Sequence, residues 1–585
     1  MFKVENLTKI REQMKKDGLK GYLIFTGDPH ASEYAASHFL AERMFACPFT
    51  GSAGQVLITL DNAYLFADGR YWIQAERELK DSTITTVRVG DKNVLNFDEF
   101  IRVNKIYPLG INLLMISQNT YKKFINNDIV IKNVDYNFLN KDVPPLSKEK
   151  LFKIDEKLFS LNYKQKIEQI IKKTEDLNAK ANLVTTLDDI AWILNIRGND
   201  VPCNPVFYSY LYISKDYGTH LFIDKSKLDF DIDGVKVHSY DEITSFLKEH
   251  DDVKTLVDPS RVSALLYSLI KKPVDGRNPS YLAKAIKGKV EANNIKRIQA
   301  IDGVALLKFG KYLEENISNN LSEYDYANKL QEFRFESKEL FELSFDTIAA
   351  CGPNAAQMHY EPTKDIHSVV NKDCIELLVD SGGQYYGGTT DTTRTFLVGK
   401  PTKEYITDYT LTLKAVINLS KTIFLNGSTG QTIDIRAREY FWERGMDYKC
   451  GTGHGVSYML NVHEGPNGFR YRKVPERDDQ DCIVPGMVTT IEPGVYKENK
   501  YGIRIENNLL CVPAFETDMG VFYKFETITY VPITTESLDL DMMSNEEIDW
   551  LNSYHEMVYS KLSPLIKDDK DLLDYLKLKT KKISR

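Results

Sequence analysis

The chain has 585 residues, 42% of them apolar and 27% charged, with a formal net charge of −8 at pH 7. This composition describes an ordinary folded chain of three or four domains at ~150 residues each, and its negative balance argues against a general nucleic-acid-binding surface. Seven cysteines without regular spacing predict reduced thiols rather than a disulfide framework, and no run of roughly 18 apolar residues is present to span a membrane.

The opening residues, Met1-Phe-Lys-Val-Glu-Asn-Leu-Thr, lack a secretory apolar core and lead into a helix, so a cytoplasmic protein is expected. Leu7, Ile10 and Met14 recur at helical spacing. Lys16-Asp-Gly ends that helix before a strand over 21–25. Val56–Leu60 and Ala63–Ala67 flank Asp61-Asn62 and read as a hairpin. A fainter echo follows further along. A helix is predicted over 167–177, Asp188-Asp189 matches the turn at Asp28, Ile196-Arg-Gly matches Phe49-Thr-Gly, and 220–224 matches 64–68. Two copies of one α/β unit are therefore expected, with boundaries near 158 and 290, where charged segments start helices.

The third part opens with an amphipathic helix bearing Ile298, Ile301, Ala305, Phe309 and Tyr312. A second helix starts at Ser322, where Asp325 three residues on makes an approximate capping box. Ser544-Asn-Glu-Glu repeats that signal ahead of Ile548, Leu551 and Val558, a helix expected to pack on the third domain. The lysines at 577, 579, 581 and 582 are read as a solvated tail rather than a lipid or nucleic-acid anchor. No low-complexity linker separates the parts, so packed domains are predicted.

Between these helices, five short segments each deliver one possible metal ligand. Cys374–Val379 is an apolar run ending at Asp380, as at the end of a buried strand, and Ser381-Gly-Gly breaks it. Gly387-Gly388 punctuates the return, which puts Asp391 on a neighbouring strand of a ribbon. Gly451-Thr-Gly-His-Gly supplies His454, Ile491-Glu-Pro-Gly supplies Glu492, and Ile503-Arg-Ile-Glu-Asn supplies Glu506. In the last, the period of two sends Ile503 and Ile505 to the core and points Arg504 and Glu506 into one cavity. Each fragment alone has a bland reading: a turn former, a half-exposed strand, or a glycine loop. The glycine loop lacks the strand–loop–helix context and downstream acid of a nucleotide site. Together, four carboxylates and an imidazole suit a pair of hard or borderline divalent cations such as manganese.

This ordered set of Asp380-Ser-Gly, Thr389-Thr-Asp, Gly451-Thr-Gly-His-Gly-Val, Asn461-Val-His-Glu-Gly-Pro, Ile491-Glu-Pro-Gly and Arg504-Ile-Glu-Asn resembles the pita-bread dinuclear metallopeptidases. Within them it most resembles the long, three-domain Xaa-Pro aminopeptidases. Phe49-Thr-Gly-Ser-Ala-Gly, Ala67-Asp-Gly-Arg-Tyr and Leu194–Val206 extend the resemblance over nearly the whole chain. It implies an α/β chain with two creatinase-like α/β domains, 1–157 and 158–289. A pita-bread catalytic domain with a C-terminal helical extension follows over 290–585. It further implies two divalent ions, manganese first with zinc and cobalt as alternatives. Asp391 and Glu506 would bridge both ions, Asp380 would chelate one, and His454 with Glu492 would complete the other. Glu492 doubles as the general base, and His359 and His463 contact the scissile bond and the developing oxyanion. Cys450, Tyr496 and Arg504 join the two histidines as substrate-contacting candidates. Many relatives carry a histidine where this chain has Cys450; a thiol fills apolar space but is a poor proton carrier, so pocket lining is expected.

The activity implied is release of an N-terminal residue that precedes proline, from peptide substrates, by a cytoplasmic homodimer that engages neither nucleic acid nor membrane. One alternative is a prolidase-type Xaa-Pro dipeptidase, whose relatives usually lack two complete leading domains. Methionine aminopeptidase is disfavoured for the same reason. A non-catalytic relative that binds peptide or protein is opposed by the presence of all five ligands. A calcium-stabilised structural protein leaves His454 and the two further motif histidines unexplained.

Overall fold

The computed structural model describes residues 2–474 and 480–585. They form two compact units, Met1–Ile154 with Leu161–Ser280, and Asp155–Ser160 with Tyr281–Arg585. Among the described residues no helix is long and apolar enough to cross a membrane.

The first unit holds the duplication. Helix Val4–Asp17 buries Leu7, Ile10 and Met14, and Gly18 closes it at φ +64°, a left-handed position without penalty for glycine. The predicted hairpin forms between Gln55–Thr59 and Ala63–Ala67, with Ile58 opposite Ala63. One six-stranded sheet runs Ile84–Arg88, Ala63–Ala67, Gln55–Thr59, Gly21–Phe25, Leu109–Ile111, Ile131–Asn133. A second runs Val235–His238, Gly218–Ile223, Ser209–Ser214, Ala181–Val184, Thr255–Val257, Pro273–Asp275. Across each, the neighbours pair in the same sequence of directions: parallel, antiparallel twice, then parallel twice. The helix expected over 167–177 starts earlier, at Tyr163. A capping box accounts for the shift: Asn162 Oδ1 accepts from Gln165 N and Gln165 Oε1 accepts from Asn162 N, both at 3.0 Å.

The second unit carries the ligand segments on antiparallel sheets. Glu376–Ser381 is the middle of three strands, between Ile348–Cys351 and Thr392–Leu397, with Asp380 opposite Thr393. A six-stranded sheet runs Ile423–Leu425, Gly520–Thr527, Asn507–Thr517, Val488–Ile491, Gly453–Gly455, Glu464–Phe469. Helix Lys403–Ser420 is buried on nearly all sides against this core through Tyr405, Tyr409, Leu413, Val416 and Ile417, with Asp408, Thr410 and Thr412 buried alongside them. Helix Lys289–Asn316 buries Ile295, Ile298, Leu306, Phe309 and Leu313. Of the predicted face, Ile298, Ala305 and Phe309 are buried, and Ile301 and Tyr312 pack half-buried against the core.

Both predicted capping boxes are present, at Ser322 with Asp325 and at Ser544 with Glu547. Ile548, Leu551 and Val558 of helix Asn545–Leu562 enter the same core. The basic C-terminus is not simply a solvated tail. Helix Lys570–Lys579 buries Leu572 and Leu576 in that core, and Lys579 pairs with Glu314 and Glu536 at 2.7 Å each. Two well-placed leucines outweigh the charge pattern because lysine stems leave their ammonium groups in water while the opposite face is buried.

One buried ion pair locks the long helix to its neighbour. Arg334 donates from Nε to Asp302 Oδ1 at 2.7 Å and from Nη2 to Oδ2 at 3.2 Å, and Tyr385 OH donates to Oδ1 at 2.6 Å. Arg334 and Asp302 side chains are 0% and 2% exposed. Arg334→Ala leaves a buried carboxylate uncompensated and should destabilise this unit by about 3–5 kcal/mol, seen as a lower urea midpoint by fluorescence. The paired change of Asp302 and Arg334 to leucine should cost less than Arg334→Ala alone.

Candidate metal centre

The five predicted ligands sit at strand ends or between strands, where the backbone is held but the side chains project beyond the ladder. Asp380 is the penultimate residue of Glu376–Ser381, and Asp391 immediately precedes Thr392–Leu397. His454 is the middle residue of Gly453–Gly455, and Glu492 follows Val488–Ile491. The strand predicted through Glu506 ends at Arg504, so Glu506 lies in the step between Tyr501–Arg504 and Asn507–Thr517. Its N–H donates to Thr393 O at 3.2 Å, which ties that step to the strand after Asp391.

The glycines around His454 serve close strand packing. A Cβ on Gly453 would lie 1.8 Å from Thr490 O, and one on Gly455 would lie 2.3 Å from Glu464 O. The Gly-Thr-Gly-His-Gly run is therefore a strand squeezed between two neighbours, with no phosphate cradle.

Asp391, His454 and Glu506 place ligand atoms within 4.8 Å of one another. His454 Nε2 lies 3.4 Å from Asp391 Oδ2 and 3.5 Å from Glu492 Oε1, while its Nδ1 donates to Gly455 O at 2.9 Å. A donor bond at Nδ1 leaves Nε2 as the basic, ligand-capable nitrogen. Burial, then the charges of Asp380 and Glu492, pushes the Asp391 carboxyl well above the usual carboxylate range, with Arg504 opposing. Burial followed by Asp391, Asp380 and Glu492 does the same to Glu506. Asp380 Oδ1 and Glu506 Oε1 are buried and accept no hydrogen bond. Crowded buried acids with orphaned oxygens are unstable as anions unless cations neutralise them. The donor set, oxygen-rich with one imidazole, fits divalent metal.

Arg504 and Glu506 converge on Thr393 even though the strand stops at Arg504, so the strand period is not what brings them together. Arg504 Nη2 donates to Asp380 Oδ2 at 2.6 Å, Nε to Thr393 Oγ1 at 3.0 Å, and Nη1 to Tyr496 OH at 2.7 Å. Thr393 Oγ1 in turn donates to Glu506 Oε2 at 2.8 Å. Cys450 adjoins this group: burial first, then Glu492, pushes its thiol up to about 12, against Arg438 and Arg504. It is a neutral thiol near pH 7, unsuited to nucleophilic work. His463 meets the site directly, its ring 4.3 Å from that of His454 between centroids and nearly perpendicular. His359 occupies the turn after the short helix Gly352–Ala356, which packs on Gly502; a Cβ there would stand 1.8 Å from Ala355 O.

Several supporting residues escape sequence reasoning. Arg394, fully buried, donates to Glu506 O and Thr393 O, to Asn507 Oδ1 and Tyr554 OH at 2.8 Å, and to Val531 O at 2.9 Å. It thereby fixes the backbone of Glu506 and reaches helix Asn545–Leu562. Asn508 Nδ2 donates to Asp391 O at 2.6 Å. Glu323, also fully buried, accepts from Cys351 N at 2.7 Å, Asn354 Nδ2 at 3.0 Å, Tyr360 OH at 2.8 Å and Ser368 N at 2.6 Å. One carboxylate thus gathers both flanks of the His359 turn. The signal for Thr393 and Arg394 was available: a polar run, Thr392-Thr-Arg-Thr, in a strand with no exposed face.

Residues 293–513 match Metallopeptidase family M24, and 521–583 match the C-terminal region of peptidase M24. Residues 6–126 and 142–291 each match a Creatinase/Prolidase N-terminal domain. A probable Xaa-Pro aminopeptidase P of Coprinopsis cinerea is 35% identical, with 98% of each chain covered. The chain belongs to metallopeptidase family M24. Xaa-Pro aminopeptidase 1 of Dictyostelium discoideum is also 35% identical, over 96% of this chain and 93% of its own. The crystal structure of X-prolyl aminopeptidase from Caenorhabditis elegans, described as a cytosolic enzyme with a di-nuclear active site, superposes with a TM-score of 0.92 at 30% identity. It covers 99% of both chains. The architecture is accordingly two creatinase-type N-terminal domains followed by an M24 pita-bread catalytic domain.

Thr393 orients two charged groups at once, so its hydroxyl is the sharpest test of the supporting shell. Thr393→Val keeps the shape and removes the bonds to Glu506 and Arg504. Metal affinity, measured by competition with a chromophoric chelator, should fall roughly 10–100-fold while circular dichroism is unchanged.

Proposed function

We propose that this chain is a metal-dependent Xaa-Pro aminopeptidase that removes an N-terminal residue preceding proline from short peptides. The observation that carries the reading is the convergence of buried Asp391 and Glu506 with His454, beside Asp380 and the partly exposed Glu492, with oxygens of Asp380 and Glu506 left without a hydrogen-bond partner. Asp391 and Glu506 would bridge two divalent ions, manganese in preference to zinc or cobalt; Asp380 would complete one ion, and His454 with Glu492 the other. When bound, such a pair supplies Lewis-acid polarisation and lowers the pKa of water. Glu492, 22% exposed at its side chain, accepts the proton of the attacking water. His463, against the ring of His454, and His359 donate to the oxygen that gains charge at the scissile carbonyl and to the departing amine.

Arg504 holds Asp380 through its Oδ2 and carries Tyr496 with it, leaving Asp380 Oδ1 as the oxygen that would meet a metal ion. Tyr496 and Cys450 form the wall that meets the substrate, Cys450 as an apolar lining. The functional domains are taken as 1–157, 158–289 and 290–585, acting in a cytoplasmic homodimer. A peptidase of this kind is favoured over a prolidase-type dipeptidase because both leading domains are complete.

The deciding experiment strips metal by chelation, restores manganese, zinc or cobalt in turn, and measures hydrolysis of an Xaa-Pro-Xaa tripeptide against an Xaa-Pro dipeptide. Tripeptide hydrolysis restored by metal is the expected result; preference for the dipeptide would turn the reading to prolidase. Asp391→Asn and Glu506→Gln should each lose metal together with nearly all turnover, since a bridging position serves both ions. Two metals still bound at near-normal turnover would remove these residues from the core of the mechanism. His463→Ala should keep both metals yet lower kcat, by an amount worth roughly 2.7–4 kcal/mol for a lost transition-state donor. Metal content by mass spectrometry and steady-state kinetics on the same preparation separate the two kinds of damage.

A further inference from the structure

Two of the seven cysteines face each other outside the metal centre. Cys351 ends the strand Ile348–Cys351, opposite Leu377, and Cys374 lies just before the partner strand Glu376–Ser381. Their sulfurs stand 3.1 Å apart, and the carbonyl of Val369 lies 3.9 Å from the first and 3.7 Å from the second. A disulfide spans about 2.05 Å, so closing this gap requires a shift of about 1 Å. Cys351 is buried among Val370, Leu377 and Val379, whereas Cys374 sits at the edge of that cluster and is partly exposed. That difference sets a chemical order: an external reagent reaches Cys374 first, and Cys351 is already beside it.

The local field favours the same order. The hydrogen bond between the two sulfurs is the largest influence on both, drawing the Cys374 thiol down against burial and the charge of Glu323 and, together with burial, pushing the Cys351 thiol up. Burial by contrast pushes Cys47 up to about 11 and Cys511 to about 12. The attacking species in exchange is the thiolate.

We propose that Cys351 and Cys374 are a reversible redox pair that closes an intrachain disulfide by exchange with a low-molecular-weight disulfide such as oxidised glutathione. The Cys374 thiolate attacks one sulfur of the external disulfide, breaking its S–S bond and expelling one half as a thiolate. Cys351 Sγ, on losing its proton, attacks Cys374 Sγ, breaking the mixed disulfide and expelling the second half. The protons given up by the two protein thiols end on the two departing thiols. Two protein thiols are oxidised and one external disulfide is reduced. The new bond closes the segment 351–374, which contains the His359 turn. It also moves Cys351, whose N–H shares Glu323 with Asn354, Tyr360 and Ser368. Oxidation therefore displaces His359 and lowers turnover, a consequence that rests on the reading of His359 as a contact to the scissile bond.

The test exposes the full metal-loaded chain to oxidised glutathione, alkylates the remaining thiols and maps peptides by mass spectrometry. The expected product is a Cys351–Cys374 crosslink, reversed by dithiothreitol, with kcat reduced roughly tenfold or more on Xaa-Pro-Xaa peptide. Cys351→Ser should trap glutathione on Cys374, and Cys374→Ser should leave Cys351 unmodified with kcat insensitive to the oxidant. Glutathione accumulating on Cys374 of the wild-type chain without a crosslink would overturn the pair. So would reaction confined to Cys482, the exposed cysteine. His359→Ala in the reduced chain separates the two claims. Full turnover of that variant overturns the reading of His359 and leaves the crosslink standing. Loss of turnover there, alongside an oxidised wild type of unchanged kcat, overturns the switch.

Discussion

Like charges forced together out of water are the constraint on which the catalytic unit is built. Asp380, Asp391, Glu492 and Glu506 occupy one largely buried site, and for Asp391 and Glu506 burial and mutual repulsion work in the same direction. Such a cluster raises the free energy of the fold until positive charge enters. The Arg504 guanidinium supplies part of it, hydrogen-bonded to Asp380. The remaining deficit is what divalent ions would fill, and it explains why buried oxygens of Asp380 and Glu506 are left without partners.

Holding these acids in place takes more buried polar chemistry than the ligands themselves. Thr393 Oγ1 links Glu506 to Arg504, Arg394 clamps the backbone at Glu506 and Thr393, and Asn508 holds the backbone at Asp391. Thr393 and Arg394 are polar or charged inside a protein core and are tolerable because they are hydrogen-bonded there, while Asn508 bonds through its amide nitrogen and leaves Oδ1 without a partner. Arg394 also reaches Tyr554 on helix Asn545–Leu562, so the C-terminal region is bonded directly to the site's supporting shell. Glu323 plays the corresponding part for the turn that presents His359.

The first unit shows a different economy. Its two sheets share strand order and direction throughout, and both match creatinase-type domains. Repeating a unit that already packs is a simple route to length, and divergence then falls on loops and caps, as at Asn162, where a box not evident from hydrophobic spacing starts the helix early.

Local pattern alone determined a good deal here. Helix Val4–Asp17, the 55–67 hairpin, and the boxes at Ser322 and Ser544 were legible, because capping, turn chemistry and periodicity act over a few neighbours. The C-terminal helix with Leu572 and Leu576 was obscured by its lysines, since charge density says nothing about what lies under the opposite face. The core face of Lys289–Asn316 followed its spacing through Ile298, Ala305 and Phe309, whereas the pairing of its Asp302 with Arg334 and the approach of the Tyr530 backbone to Gly303 did not show in the sequence. Thr393, Arg394, Asn508 and Glu323 could be seen as polar residues but not as partners, and the approach of Cys351 to Cys374 depends on how the segment before Glu376–Ser381 returns to the sheet. Which buried polar atoms meet is a matter of distances between segments far apart in the chain, and only the packed sheets bring those distances within hydrogen-bonding range.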